Sequence, residues 1–245
     1  SKIQAISGLR RYGKSLTAHL DDIGLLGPDF TVAHGVWLDD DDCRRLGDHG
    51  ASVAHNPGSN MRLGSGLADA RGMLNGNVNL GIGTDGANCS DNLNMFEAMR
   101  IASMVSKVQG PDQRVWLTTG EIVVAATEGS ARALGWKDIG RIAPGYKADI
   151  VFLDLGAINW VPFNDPTNQI VHSEDSSAVS SVMVGGRMLL DEGRFTTFDY
   201  GKLMTDVEAA VERLRGATAE MRELQERHAQ LQSDHATLQA RSAGE

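Results

Sequence analysis

Three short apolar runs, each closing on a polar side chain, limit what this sequence can fold into. FTVAH ends on His34, ASVAH on His55 and VNLGIGTD on Asp85. Each has the length of a buried strand. The stretches between and after them, residues 39–50, 67–77 and 92–108, are patterned as helices. The order βαβαβα predicts a parallel sheet, whose functional groups gather at the carboxyl ends of the strands. His34 and His55 are 21 residues apart, and His55 and Asp85 are 30 apart, spacings that suit successive units of a (β/α)8 barrel. Asp85 needs a partner: left unpaired in its Gly/Asn loop, the carboxylate would cost several kcal/mol of desolvation.

Further along, two helical pieces run from about Thr118 to Leu134, and then the character changes. Residues 148–155 alternate as a strand, and AVSSVMVGGRMLLDEGRF reads as a hairpin turning at Gly185-Gly186. This predicts a small β unit. After Tyr200 the residues Leu203, Val207, Ala210, Leu214, Ala217, Met221, Leu224, His228, Leu231, His235 and Leu238 alternate steps of four and three, a heptad pattern on a long helix. The predicted domains are therefore 1–140, the distal part of an α/β barrel (strands 6 to 8 and helices), 141–200, part of a β-sandwich, and 201–245, a helical tail. The tail leaves a homo-oligomer open.

Charge narrows the partners. With 23 Lys and Arg against 32 Asp and Glu the net charge is −9, which disfavours nucleic acid and anionic membrane surfaces. A small molecule is the expected partner. No apolar run approaches the ~18 residues of a membrane span. Cys43 and Cys89 form no recognisable zinc or disulfide framework, which fits a reducing, cytoplasmic setting.

Two motifs compete for the chemistry. Gly8 to Ser15, GLRRYGKS, satisfies the phosphate-loop pattern letter for letter. Such a loop needs a strand entering it and backbone N–H groups wrapped round a phosphate, whereas KIQAIS is a poor strand and Leu-Arg-Arg-Tyr a bulky filling. His34, His55 and Asp85 make the better case, because imidazole and carboxylate are the usual ligands and proton carriers of zinc hydrolases. One histidine at a strand end is most often a structural hydrogen-bonder; three polar groups on adjacent strand ends favour a site. The four acids Asp39 to Asp42 read as the capped, dipole-matched start of a helix.

TVAHGVWL, VAHNPGSNMRLGSG, NLGIGTDGANCSDNLNMFEAMR and GRIAPGYKADIVFLD, in this order, resemble the carboxyl-terminal half of the amidohydrolase superfamily, in its branch of aromatic deaminases and chlorohydrolases, over about residues 10–195. The resemblance implies an α/β fold: the carboxyl-terminal part of a (β/α)8 metal-dependent hydrolase barrel, with part of an appended β-sandwich and a terminal helix. It implies one divalent metal ion, zinc or iron, with Asp85 as ligand and proton shuttle. His34 would polarise the attacked group and the catalytic water. His55, Ser59 and Asn60 would line the substrate pocket, the loop carrying Asn88 would border it, and Trp37 follows His34 closely enough to touch a substrate. The implied reaction is deamination of a purine-, pterin- or triazine-like N-heterocycle by metal-activated hydroxide, with dechlorination as the close variant.

The family's first-strand H-x-H pair and fifth-strand H-x-x-E are absent from this sequence. By the resemblance, five strands, three metal ligands and the general acid lie outside it, and Ser1 opens in mid-pattern like a segment of something longer. The chain alone is accordingly expected to be inactive, and a truncated or assembly module is the alternative to an enzyme.

Overall fold

The computed structural model describes residues 2–242, with side chains described through residue 232. The chain divides into two compact units, residues 1–193 and 194–245. The first is a mixed α/β structure. Its opening segment is helical: α1 (Lys2–Tyr12) and α2 (Leu16–Asp22) precede the first strand. This removes the phosphate-loop alternative. Gly8 to Tyr12 lie inside α1, no strand enters the motif, Lys14 pairs with Asp22, and Ser15 caps α2 by accepting from the Ala18 N–H at 3.0 Å.

The three apolar runs form β1 (Thr31–Ala33), β2 (Ser52–His55) and β3 (Asn79–Ile82), a parallel sheet in that order with Val32, Val53 and Leu80 in register. Between β1 and β2 runs α3 (Asp40–Asp48). Asp39 caps it by accepting the Asp42 N–H at 2.8 Å, and Asp40, Asp41 and Asp42 fill the first turn, where the helix dipole favours acids. Between β2 and β3 lie α4 (Pro57–Arg62) and α5 (Ala70–Asn75). After β3 come the one-turn α6 (Ala87–Ser90) and α7 (Met95–Val108), whose buried Ala98, Met99, Ala102 and Val105 recur at helical spacing. Leu46, Val53, Met73, Leu80, Ile82 and Ile122 are central to the core beneath the sheet.

The predicted helical pieces after Thr118 are α8 (Thr119–Val124) and α9 (Ser130–Ala133), joined by a π turn at Ala125–Gly129. Close approach explains the glycine: a Cβ at Gly129 would lie 1.9 Å from the Leu80 carbonyl oxygen. The next residue fastens this helix to β3, since Ser130 Oγ accepts from the Ile82 N–H and donates to the Ile82 carbonyl, both at 3.1 Å.

The β unit holds β4 (Ile150–Leu153), β5 (Val179–Val184) and β6 (Arg187–Asp191), all antiparallel neighbours. The hairpin turns at Gly185-Gly186 as expected, both with positive φ (56° and 80°), the geometry of a two-residue turn matched to strand twist. Between β4 and β5 sits α10 (Pro166–His172). Just beyond it Glu174 is fully buried, its carboxylate accepting from the N–H groups of Asp175, Ser176 and Ala178 and from Trp160 Nε1 at 2.6 Å.

The second unit begins with the short β7 (Arg194–Phe195) and continues as α11 (Tyr200–Ser242). Phe195 stacks on Phe198 and Tyr200, with ring centroids 4.5 and 5.6 Å away. Asp199 starts α11 by accepting the Lys202 N–H at 3.0 Å. Among the described residues no helix is long and apolar enough to cross a membrane.

Candidate active site

The carboxyl ends of β1 and β3 bring His34 and Asp85 together, with His34 Nε2 3.7 Å from Asp85 Oδ2. Both residues hold left-handed backbone, His34 at φ 73° and Asp85 at φ 61°. This conformation costs a non-glycine residue roughly 1–2 kcal/mol, and such strain persists where surrounding structure over-determines it. At His34 the constraint is visible: its N–H donates to the Ala54 carbonyl at 2.9 Å, so the chain must turn immediately after pairing with β2.

The intervening strand supplies the supports. β2 runs directly into α4, whose first turns carry Ser59 and Asn60. Ser59 Oγ donates to Asp85 Oδ2 at 2.7 Å, and the Gly86 N–H donates to Asp85 Oδ1 at 2.7 Å. These two hydrogen bonds, Ser59 first, hold the Asp85 carboxyl below its ordinary pKa, with the neighbouring His34 adding a smaller push in the same direction. Asn60 Oδ1 lies 2.8 Å from His34 Nδ1. With the carbonyl oxygen on Nδ1, that nitrogen carries a proton, and Nε2, on the Asp85 side, is the atom free to take or give one.

Of the residues singled out in the sequence, His34, Trp37 and Asp85 border one cleft of about 720 Å³, together with Cys89 and an apolar wall that includes Leu16, Phe30 and Val32. Trp37 is half exposed, with Lys2 Nζ 5.6 Å from its ring centroid. Asn88 is exposed on α6. Ser59 and Asn60 are buried and reach the cleft through Asp85 and His34 rather than by forming its wall. His55 is buried to 1% exposure, and neither ring nitrogen has a partner among the described residues. Burial, with a smaller contribution from nearby His34, drives its pKa down to about 4, so it stays neutral in ordinary buffers. A second groove of about 510 Å³, bordered by Asp40, Arg44, Asp69 and Arg71, lies among α3, α5 and the end of α7, apart from these groups.

Among the described residues no three His, Cys, Asp or Glu side chains gather as a metal-binding group. The chain thus presents a partial donor set: one carboxylate, lowered in pKa and open to a cleft, with an imidazole beside it. The pairing of Ser59 with Asp85 and Asn60 with His34 is the part of the site that sequence reasoning missed. Its only signal was that both occur in the same HNPGSN segment between the two functional strands.

Comparison with known proteins identifies the family. Residues 7–189 match the Amidohydrolase family. The 5-methylthioadenosine/S-adenosylhomocysteine deaminase of Thermococcus kodakarensis is 42% identical over 180 residues, which is 74% of this chain and 42% of that protein. An adenosine deaminase from Xanthomonas campestris, solved with bound zinc, superposes with a TM-score of 0.84 at 30% identity, covering 88% of this chain and 49% of the other. An atrazine chlorohydrolase from Arthrobacter aurescens, complexed with zinc, gives 0.80 at 27% identity, covering 84% of this chain and 46% of the other. The chain spans less than half the length of these proteins. Its match to the family nonetheless runs through the strands that carry His34 and Asp85 and on into the β unit, and the chain belongs to the amidohydrolase family.

Proposed function

We propose that this chain is the carboxyl-terminal part of a metal-dependent hydrolase that deaminates an aminated N-heterocycle, an adenosine-like purine before a pterin or triazine. Residues 1–140 would be the distal part of a (β/α)8 catalytic barrel, 141–200 part of a β-sandwich and 201–245 a helical tail. The observation that carries this reading is the convergence of His34 and Asp85 at the ends of parallel strands, each held by a hydrogen bond from α4 and both facing one cleft. The sequence relative and solved neighbours named above, deaminases and a chlorohydrolase, two of them holding zinc, support the substrate class and the metal. Two free cysteines fit a cytoplasmic setting.

Asp85 would hold the metal, zinc or iron, together with ligands from outside this chain. A bound divalent cation supplies Lewis acidity and brings the pKa of a water down towards ~7. Asp85, ionised because Ser59 and Gly86 donate to it, takes up the proton released by water at its free oxygen lone pairs and passes it to the departing amine. His34, once Nε2 carries a proton as well, donates from that atom to charge developing on the attacked centre, while Asn60 keeps the ring in that orientation. Trp37 and the apolar wall offer a face on which a flat heterocycle stacks.

Ammonia release from adenosine-like and aminotriazine substrates, measured on the longest natural polypeptide containing this segment, tests the proposal. Asp85→Asn should abolish turnover and reduce bound metal. Undiminished turnover in that variant would overturn it.

A further inference from the structure

The long helix α11 carries an apolar stripe that is uncovered. Leu203, Val207, Leu214, Met221 and Leu224 are between 43% and 68% exposed. In water a single helix gains most of its stability from packing such a face, and Gly216 weakens this one from within. The four-three spacing assigns Val207, Leu214 and Met221 to heptad position a, and Leu203, Ala210, Ala217 and Leu224 to position d. The flanking positions identify the occupant. Position g holds Asp206, Arg213, Glu220 and Arg227, alternating in sign, whereas position e holds Met204, Val211, Thr218, Gln225 and Gln232, with no charge at all. Arg213 and Glu220 have no opposite charge three or four residues away on their own helix.

We infer that α11 pairs with α11 of a second copy of this chain as an antiparallel coiled coil centred between Ala210 and Met221. A parallel pair would set every charged g residue against an uncharged e residue. An antiparallel pair sets g against g, and in one two-fold register Arg213 meets Glu220 and Asp206 meets Arg227, each contact occurring twice. The same register places Leu214 of one copy on Ala217 of the other, Met221 on Ala210, and Val207 on Leu224. Large side chains thereby fall on small ones through the middle, letting the two backbones approach closely. The paired span, residues 203–228, is about 39 Å long at 1.5 Å per residue. A partner of different sequence would not supply this alternation in register with its mirror image; a second copy supplies it by symmetry.

Sedimentation velocity on the full 245-residue chain tests the pairing, with far-UV circular dichroism verifying that each variant retains its helix. The wild type should dimerise. Arg213→Glu creates two Glu–Glu contacts and should weaken the dimer by about tenfold or more, as should Glu220→Arg with two Arg–Arg contacts. The double variant Arg213→Glu/Glu220→Arg should return to within about threefold of wild type, because both pairs are restored with reversed sign. A wild type that stays monomeric, single swaps that leave the dimer unchanged, or a double variant that fails to recover would each overturn the inference.

Discussion

Replacing His55 with glutamine should make the protein less sensitive to mild acid. The native imidazole, buried to 1% exposure, stays neutral down to about pH 4, whereas in the unfolded chain it takes up its proton near pH 6.5. Between those values the unfolded state binds more protons than the native state, so stability falls as pH falls. At about 1.4 kcal/mol per pH unit, the whole window amounts to about 3 kcal/mol, of which about 2 kcal/mol is lost by pH 5. That is a large share of the 5–15 kcal/mol typical of a folded domain. His172, whose pKa is also lowered by burial and by Lys107 and Arg100, acts in the same direction, but it is present in both proteins and cancels in the comparison. Urea unfolding of wild type and His55→Gln at pH 7 and pH 5 gives the difference directly. The variant should start less stable or equal at pH 7 and lose about 2 kcal/mol less on acidification. Equal losses in the two proteins would refute the assignment of a neutral, desolvated imidazole at this position.

In the catalytically complete polypeptide, Asn60→Ala should lower kcat by about 10- to 100-fold with KM little changed, since it loosens the His34 ring without touching the cleft wall; steady-state kinetics would show the split, and an unchanged kcat would remove Asn60 from the site. Glu174→Ala should destabilise the first unit by about 3–5 kcal/mol, because Trp160 Nε1 and three backbone N–H groups lose a buried acceptor; a thermal melt within a degree or two of wild type would contradict that account.

The parallel strands were legible because each is a short apolar run ended by a polar residue, and the hairpin because two glycines interrupt an alternating pattern. Asp39 to Asp42 announced α3 through simple electrostatics. Other features depended on partners distant in sequence. The helical α1 shares residues with a phosphate-loop pattern, which specifies residue types and says nothing of the backbone around them. The burial of Glu174 is not written in its own neighbourhood, because the indole and the amides that satisfy it come from Trp160 and from the turn it begins. In the site itself, His34 and Asp85 stood out by position. The roles of Ser59 and Asn60 did not, since nothing in a residue's own neighbourhood states which side chain on another strand it will touch.

The left-handed backbone at His34 and Asp85 also governs how these positions can change over generations. At φ near 60–75° glycine is relaxed, asparagine and aspartate are tolerated, and β-branched residues are excluded. A gene library saturated at position 34 would therefore rank its survivors for folding with glycine and asparagine ahead of histidine, while the role proposed for His34 would reverse the ranking for turnover. Drift relieved of selection for chemistry would erode His34 first, and towards the more stable protein. On the role proposed for His34, a histidine retained at this turn among homologous segments that keep the strands would mark continuing catalytic use, and a glycine there its loss.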